Sequence, residues 1–350
     1  MATSFKELES GRDSVVTRNL LHEAIPVTGT IVSGTYADNN IKEFSHGMFQ
    51  SVYDYPFLSS SANHIFDLTC GYSAVSGLSS STSAQNEKKI NIYNQMAQVL
   101  VGFDENGAVR RFDDDGDLTD GTKINDAYFF NFTRLLVKDE IKKGSFTLTL
   151  GVNQAYATPF IGGKTIDLVD FSGSDGYKVN SPAGEYGILY ATGSALSGQG
   201  YQKAGLLYYQ AGIAVVTASV FGPLLTTAVS MSSTDPSGVD SLLSNTNING
   251  NSDGVRHRLQ NVSFNNTTEL NSTVYFCRVN NTDFNYSANQ TYLSSSKMVV
   301  KTNSQDLPVS YVTSVGLYSP DNELLAVAKL SEPLKKDPST EFTIRVRLDY

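Results

Sequence analysis

The feature that most constrains this chain is a long uncharged segment, Ala204 to Ser230, "AGLLYYQAGIAVVTASVFGPLLTTAVS". A segment of this length without charge is either a membrane-spanning helix or part of a buried core. It contains Gln210, three glycines and Pro223, and Gly212 separates two runs that are rich in strand-forming residues. We therefore predict a buried hairpin with its turn at Gln210-Ala211-Gly212, with the membrane helix as the alternative.

The composition of the whole chain favours strands over helices. Only 17% of the residues are charged, against ~25% in typical globular domains, while Gly, Ser, Thr, Asn and Tyr are frequent. These residues suit pleated surfaces and turns. We predict a mainly β fold with few helices, a minor α+β component, and antiparallel sheets in a sandwich-like arrangement.

One clear helix is predicted near 85–101, in "AQNEKKINIYNQMAQVLVGF". Its apolar residues recur with helical spacing at Ile92, Met96, Val99 and Leu100, which defines one stripe. We expect Ser83 to be its N-cap and Gly102 to end it.

The composition changes twice along the chain, which predicts three parts. Residues 1–230 form the main β-rich structural domain with the helix. Residues 231–303 form an Asn/Ser/Thr-rich β module or insertion. Residues 304–350 form a C-terminal β-meander that packs on the main domain, with turns at Ser319 to Asn322 and Lys335 to Pro338.

The closing stretch "FTIRVRLDY" alternates apolar and polar residues, as in a half-buried antiparallel strand. We expect the two preceding strands of the meander to be its neighbours. One edge of that sheet then remains for a partner, because an exposed strand edge offers main-chain pairing to another subunit. The interface candidates are Phe342, Ile344, Arg345, Val346, Arg347, Leu348 and Tyr350.

The net charge of −9 argues against a role centred on nucleic acid, since such proteins usually carry a basic face. Four basic pairs occur, and we expect all of them at solvated positions: Lys88-Lys89, Arg110-Arg111, Lys142-Lys143 and Lys335-Lys336. The N-terminal residues lack an apolar signal segment, so we expect synthesis in a cytoplasm and no membrane partner.

An Asp-rich loop, "FDDDGDLTDG", is the candidate metal site. With Gly116 at position 6 of a calcium loop, Arg111 falls at position 1 and Thr122 at position 12, so the EF-hand pattern fails twice. A solvated turn is the favoured interpretation. The alternative is an irregular oxygen-ligand site that uses Asp113, Asp115, Asp117 and Asp120.

No motif in the sequence predicts catalysis or a cofactor. The chain has no G-x-S-x-G, phosphate-loop or H-E-x-x-H pattern, and its four histidines lack metal-ligand spacing. Cys70 and Cys277 are either two buried thiols, which we favour, or one long-range bridge. N-x-[ST] triplets cluster between Asn261 and Asn289, where an Asn/Ser/Thr-rich composition explains them. We therefore expect no enzymatic activity.

Three segments carry a resemblance to a known family: "EKKINIYNQMAQVLVGFDENG", "RLLVKDEIKKGSFTLTLG" and "VTSVGLYSPDNELLAVAKLSEPLKKD…FTIRVRLDY". They resemble virion structural proteins of contractile-tailed, T4-like bacteriophages of marine bacteria and cyanobacteria. The resemblance implies a many-copy particle component without enzymatic activity, in the tail or baseplate. It implies localisation in a virion that assembles in the host cytoplasm, with other copies of the chain and other virion proteins as partners.

Two alternatives remain open. One is a receptor- or glycan-binding tail tip or fibre-type module, for which the polar, aromatic-interleaved stretch Ser263 to Ser296 would contact a host-surface glycan. The other is a head decoration or neck protein, which the sequence does not separate from a tail or baseplate protein.

Overall fold

The structure is a computed structural model, whose description covers most of the chain. The described residues are 5–29, 38–118, 120–133, 139–193, 196, 200–225, 229–287, 293–294, 297–298, 303, 305 and 307–350.

Strands dominate these residues, and the predicted fold class is confirmed: 39% strand and 16% helix, in antiparallel sheets with a C-terminal strand meander. The strands are β1 Ser14–Gly29, β2 Ile41–Glu43, β3 Gln50–Tyr53, β4 His64–Tyr72, β5 Phe112–Asp113, β6 Lys123–Ile124, β7 Asp126–Asn131, β8 Glu140–Ile141, β9 Thr147–Gly151, β10 Thr165–Val169, β11 Tyr186–Thr192, β12 Gln202–Tyr208, β13 Ile213–Thr217, β14 Leu259–Val279, β15 Leu293–Ser294, β16 Lys297–Met298, β17 Ser310–Tyr318, β18 Leu324–Lys336 and β19 Phe342–Asp349. The helices are α1 Asn86–Leu100, α2 Gly173–Gly176, α3 Val239–Asn245 and α4 Ile248–His257, with short 3-10 turns at Asp38–Asn40, Ile161–Gly163 and Ala218–Phe221.

The chain divides into two compact units. The core unit is Leu21–Thr268, and the terminal unit combines Met1–Leu20 with Glu269–Tyr350. These divisions do not coincide with the predicted boundaries after residues 230 and 303. Strand β14 explains the difference, because a single continuous strand begins in the core unit and ends in the terminal unit. The predicted packing of 304–350 on the main domain stays a prediction.

The core unit is built on an antiparallel sheet in the order β14-β9-β10-β11-β12-β13-β7-β4-β3-β2. The uncharged segment supplies its centre: β12 and β13 pair antiparallel from Gly205↔Val216 to Tyr208↔Ile213. Gly212 turns the chain with φ of +65°, a conformation that favours glycine. The hairpin prediction is therefore confirmed. In the part of the chain that is described, no helix has both the length and the apolar character needed to cross a membrane.

Helix α1 lies within one residue of its predicted bounds and packs on β4. The approach is close at Gly71, where an added Cβ would lie 2.6 Å from the carbonyl oxygen of Lys89. Gly102 adopts φ of +84° and donates its N–H to the Ala97 carbonyl, so the predicted glycine stop is confirmed.

The predicted N-cap of α1 is wrong. The residue that precedes the helix is Gln85, in a left-handed conformation and without a side-chain cap. The Ser83 hydroxyl instead donates to the carbonyl of Leu78, 2.8 Å away, because the chain folds back through a tight turn before the helix begins.

The expectation that all basic pairs are solvated is wrong for two lysines. Lys89 is fully buried on the inner face of α1, and its Nζ donates to the carbonyls of Leu243 and Thr246 at 2.6 and 2.7 Å. Carbonyls at the C-terminal end of a helix lack intrahelical partners, so the ammonium caps α3. Lys336 is buried in the same manner in the terminal unit. In the α1 pair, the helical period turns Lys89 toward the core while Lys88 stays exposed. In the β18 pair, Lys336 is the last residue of the strand and is buried, while Lys335 is exposed.

The hydrophobic core lies in the core unit and is rich in aromatic residues. Every member of the main cluster falls between Val52 and Phe264. Phe132 is central, with ring centroids of Phe66, Phe146 and Phe264 5.7 to 5.9 Å from its own. Phe66 belongs to β4 and Phe264 to β14, so these rings bring together strands that lie far apart in the order of the sheet.

In the terminal unit, the three C-terminal strands follow one another as predicted, but the expected neighbours of the last strand are wrong. Strands β17 and β18 form a two-stranded ribbon, whereas β19 pairs antiparallel with β14. Alternation defines the two faces of a strand but not its partner, so the pairing with a strand far upstream was not visible in the sequence.

Candidate functional site

The interface candidates lie on β19, and the structure brings them together on two faces. Residues directly opposite in the register with β14 share a face. Phe342, Ile344, Val346 and Leu348 lie opposite Val279, Cys277, Tyr275 and Thr273, respectively. The other face carries Thr343, Arg345, Arg347 and Asp349.

The two faces differ in burial. Val346 is buried, Phe342, Ile344 and Leu348 are half-buried, and Arg345 and Arg347 are exposed. Tyr350 is also exposed, although its backbone exchanges both hydrogen bonds with Asn271, at 3.1 and 2.8 Å. The alternation predicted for the last strand therefore describes its actual faces.

The β17–β18 ribbon carries a second surface that the sequence argument did not single out. Tyr318 lies opposite Leu324, and Gly316 lies opposite Val327. Tyr318 and Leu324 lean over Gly316, where an added Cβ would be 3.0 and 3.3 Å from their side chains. The ring of Phe5 packs edge-on against that of Tyr318, with centroids 5.1 Å apart.

We call these four residues the ribbon patch: Phe5, Tyr318, Leu324 and Val327. Their exposed fractions are 59%, 46%, 52% and 57%, respectively, and the adjacent Leu325 is 67% exposed. Large apolar side chains that cluster in water mark surfaces that bind another molecule. A signal for this patch was present in the sequence, since "ELLAVAKL" follows a turn and contains five apolar residues in succession, Leu324 to Ala328.

The base of the ribbon is held by the buried Lys336. Its Nζ donates to the carbonyls of Asn281 and Asp337 at 3.0 and 2.8 Å, and to Oδ1 of Asn285 at 2.6 Å. The ammonium thus replaces hydration with three oxygen acceptors. The ribbon is anchored at one end and exposes apolar side chains at the other.

The Asp-rich loop is closed by the short hairpin of β5 and β6, in which Asp113 lies opposite Lys123. Carboxylate oxygens of Asp113, Asp115 and Asp117 lie within 4.8 Å of one another. The cluster does not include Asp120, whose carbonyl oxygen instead accepts a hydrogen bond from Lys123 Nζ at 2.7 Å.

Two lysines contact carboxylates of this loop, which carries five aspartates. Asp113 is buried and its carboxylate accepts a hydrogen bond from Lys123 Nζ. Burial raises the pKa of Asp113, and the contact with Lys123 opposes that rise. Lys203 reaches Asp114 and Asp115 at 3.4 and 3.5 Å. A metal ion would compete with these ammonium groups for the same oxygens.

An open pocket of ≈ 380 Å³ lies in the core unit. Its lining combines apolar and polar side chains: His46, Met48, Phe49, Asp67, Thr69, Ile92, Gln95, Met96, Phe129 and Asn131. Beside it, Ser51 Oγ donates to Oδ1 of Asp67 at 2.5 Å, and His64 Nε2 lies 2.7 Å from the same oxygen. To activate a serine as a nucleophile, an imidazole must lie between the hydroxyl and the carboxylate and accept the hydroxyl proton. Here the Asp67 carboxylate lies between Ser51 and His64, so this arrangement does not activate Ser51.

The two cysteines are free thiols. Cys70 is buried in the core unit, which raises its pKa to about 12, and Cys277 is half-buried. Most of the described part of the stretch suggested for glycan binding, from Ser263 to Val279, belongs to β14, and Asn266 within it is fully buried.

Comparisons of this chain with family models, curated proteins and solved structures found no match.

Proposed function

We propose that the chain is a non-enzymatic structural component of a tailed bacteriophage virion, in the tail or baseplate. It assembles in the host cytoplasm through contacts of its terminal unit with other copies and other virion proteins. The resemblance of three segments to virion proteins motivates the proposal. The ribbon patch carries it, because apolar side chains that a chain leaves in water are suited to burial against a neighbouring subunit.

The terminal unit supports this proposal by its thin core. Among its described residues, the buried apolar side chains are Val274, Val279, Val309, Leu317 and Val346, and each retains 7 to 8% of its surface. A unit with so little interior gains stability when a partner covers its exposed residues. Many-copy particles supply such partners at every position.

The test locates the chain in particles. Purified tailed particles from lysates that contain the chain are labelled with a specific antibody and imaged. We expect label at one fixed level of the tail or baseplate. The proposal fails if the chain stays in the soluble fraction and is absent from particles, and label on the head or neck would favour that alternative instead.

A pair of variants connects the localisation to the ribbon patch. We expect Leu324→Gln combined with Val327→Gln to reduce incorporation into particles while the purified chain stays folded. The control is Val179→Gln, which changes an apolar residue of the core unit that is 70% exposed, more than either Leu324 or Val327. Equal incorporation of all three chains would remove the ribbon patch from the assembly contacts.

A glycan-binding role is the second candidate, and an aromatic cluster in the core unit favours it. The Phe171 ring lies 5.0 Å from Tyr190 and 4.6 Å from Tyr201 between centroids. Phe171 and Tyr201 are 51% and 64% exposed, so their rings are open to stacking against a sugar. Binding of the chain to host-surface polysaccharide that is lost in Phe171→Ala would support this role, and absence of binding would reject it.

A further inference from the structure

The outer edge of β19 presents unpaired main-chain groups. Residues opposite one another in an antiparallel ladder alternate between pairs that exchange hydrogen bonds and pairs that do not. Tyr350 and Asn271 exchange both. Continuing the unbroken register, Phe342, Ile344, Val346 and Leu348 bond to β14, whereas Thr343, Arg345, Arg347 and Asp349 direct their N–H and C=O groups outward.

An independent hydrogen bond confirms which residues of the β14–β19 pair direct their main-chain groups away from each other. Phe276 lies opposite Arg345, so its own N–H must point away from β19. It does so, because it donates to the carbonyl of Asp13 at 2.8 Å. Among the described residues, β14 is the one strand that pairs with β19, which leaves its outward groups as an edge.

Of the three arginines that the structure describes on the polar face beside this edge, two contact a carboxylate and one does not. Arg347 Nε lies 2.6 Å from Oδ1 of Asp349, and Arg278 on the neighbouring strand lies 3.2 Å from Asp13. Within the described part of the chain, Arg345 is exposed and no hydrogen bond or ion pair holds its guanidinium. Arg345 therefore places an unpaired positive charge beside the edge, although the whole chain carries a net charge of −9.

A second copy of β19 is a poor occupant of this edge. The antiparallel registers that would pair the two strands over most of their length place Arg345 opposite either Arg345 or Arg347 of the other copy. Like charges directly opposite one another destabilise a ladder. The arginines thus oppose pairing of β19 with a second copy of itself, and charged side chains commonly protect edge strands in this way. The same arginines are complementary to an acidic strand.

We propose that the outer edge of β19 accepts an extended antiparallel strand from another protein, in which Asp or Glu alternates with apolar residues. The incoming backbone pairs with Thr343, Arg345 and Arg347, its carboxylates lie beside Arg345, and its apolar side chains extend the half-buried face of Ile344 and Leu348. The inference rests on the proposed function in taking this protein to be another component of the particle.

The test measures binding of labelled peptides to the purified full-length chain by fluorescence anisotropy. The first peptide has about eight residues in which Glu alternates with Val. The second has Lys in place of every Glu. The third and fourth keep the first sequence but carry backbone N-methyl groups on the Glu residues or on the Val residues, respectively. In antiparallel pairing, the peptide residue opposite Arg345 places its side chain on the same face as Arg345 and its main-chain N–H toward β19. When that residue is Glu, the N–H groups of the Glu residues point toward β19 and those of the Val residues point away.

We expect the Glu peptide to bind, and the Lys peptide to bind at least about fivefold more weakly, as follows from an exposed ion pair. Methylation of the Glu amides should abolish binding, whereas methylation of the Val amides should preserve it. Arg345→Glu should reverse the preference between the Glu and Lys peptides. Lys329→Glu, which reverses an exposed charge on β18, should leave that preference unchanged.

Three results would overturn the inference: no binding of the Glu peptide at millimolar concentration, equal effects of the two methylations, or a reversal of preference by Lys329→Glu. Its failure is distinguishable from failure of the proposed function. Loss of peptide binding with the chain present in particles removes only the edge inference. Intact binding with the chain absent from particles removes only the virion assignment.

Discussion

The two units of this chain use apolar residues in opposite ways. In the core unit, a continuous cluster of side chains is buried almost completely, from Val52 to Phe264. Among the described residues of the terminal unit, few apolar side chains are buried and none is fully covered, while large exposed ones are more frequent relative to its length than in the core unit. The core unit thus encloses its own apolar cluster, whereas the terminal unit exposes the apolar surface that the proposed assembly contacts would cover.

The largest expected effect separates the two units directly. Leu207 is fully buried in β12, and Leu207→Ala should lower the free energy of unfolding by about 2–5 kcal/mol, because it leaves a cavity. Leu325→Ala makes the same change at a residue that is 67% exposed and should stay within about 0.5 kcal/mol of the parent chain. Both are measured by chemical denaturation. Comparable losses in the two variants would show that the ribbon is buried in the purified chain.

A second test compares neighbouring lysines on α1. Lys89→Met leaves the carbonyls of Leu243 and Thr246 without their donor, so we expect a loss of about 1–3 kcal/mol in unfolding free energy. Lys88→Met is the matched control, because Lys88 is exposed and has a single contact with the His46 carbonyl. If Lys89→Met is as stable as this control, the buried ammonium does not stabilise α3.

The third test repeats this comparison in the terminal unit. Lys336→Met removes the donor that three oxygens share, with an expected local loss of about 1–2 kcal/mol. Since the ribbon is anchored there, the loss should appear as faster amide hydrogen exchange in β17 and β18, with the global unfolding transition unchanged. Lys335→Met, at a side chain that is 58% exposed, is the control. A fall in the global unfolding free energy would instead show that the ribbon unfolds together with the core unit in one cooperative transition.

The smallest effect concerns pH. Burial lowers the pKa of Lys89 from its ordinary value of 10.5, so the folded chain binds fewer protons there than the unfolded chain. Lys89 should therefore contribute a rise in unfolding free energy with pH between the lowered value and 10.5, by at most about 1.4 kcal/mol per pH unit. Burial raises the pKa of Cys70 to about 12, so that thiol contributes with the opposite sign in the same range. The measurement is the difference in unfolding free energy between the parent chain and Lys89→Met, by denaturation at several alkaline pH values. This difference should increase with pH, and a difference that does not change with pH would contradict the prediction.

The sequence predicted those features that depend on local pattern. The alternation of apolar and polar residues predicted the two faces of β19, and the uncharged segment around Gly212 predicted the central hairpin. The sequence favoured a solvated turn for the Asp-rich loop and left a site of Asp113, Asp115, Asp117 and Asp120 as the alternative, which stays a prediction although the first three carboxylates lie within 4.8 Å of one another. The faces and the hairpin each follow from a period of two residues or from a turn, which the chain encodes within a few positions.

Other features were missed because they depend on distant partners. Lys203 lies far along the sequence from the Asp-rich loop that it contacts, and α3 is remote from the lysine that caps its end. The basic pairs resembled solvated positions, since a sequence does not state which carbonyls a folded chain brings within reach of an ammonium group. The ribbon patch was likewise missed, because exposure is a property of the packed molecule.

The sequence by itself determined a mainly β chain with one long helix, a buried central hairpin and a two-faced terminal strand. Only the tertiary structure decided that β19 pairs with β14, that two lysines lie inside, and that the apolar residues of the ribbon remain in water. The physical reason is the range of the interactions: side-chain periodicity acts over a few residues, whereas strand pairing and burial are settled by competition among segments distant in sequence.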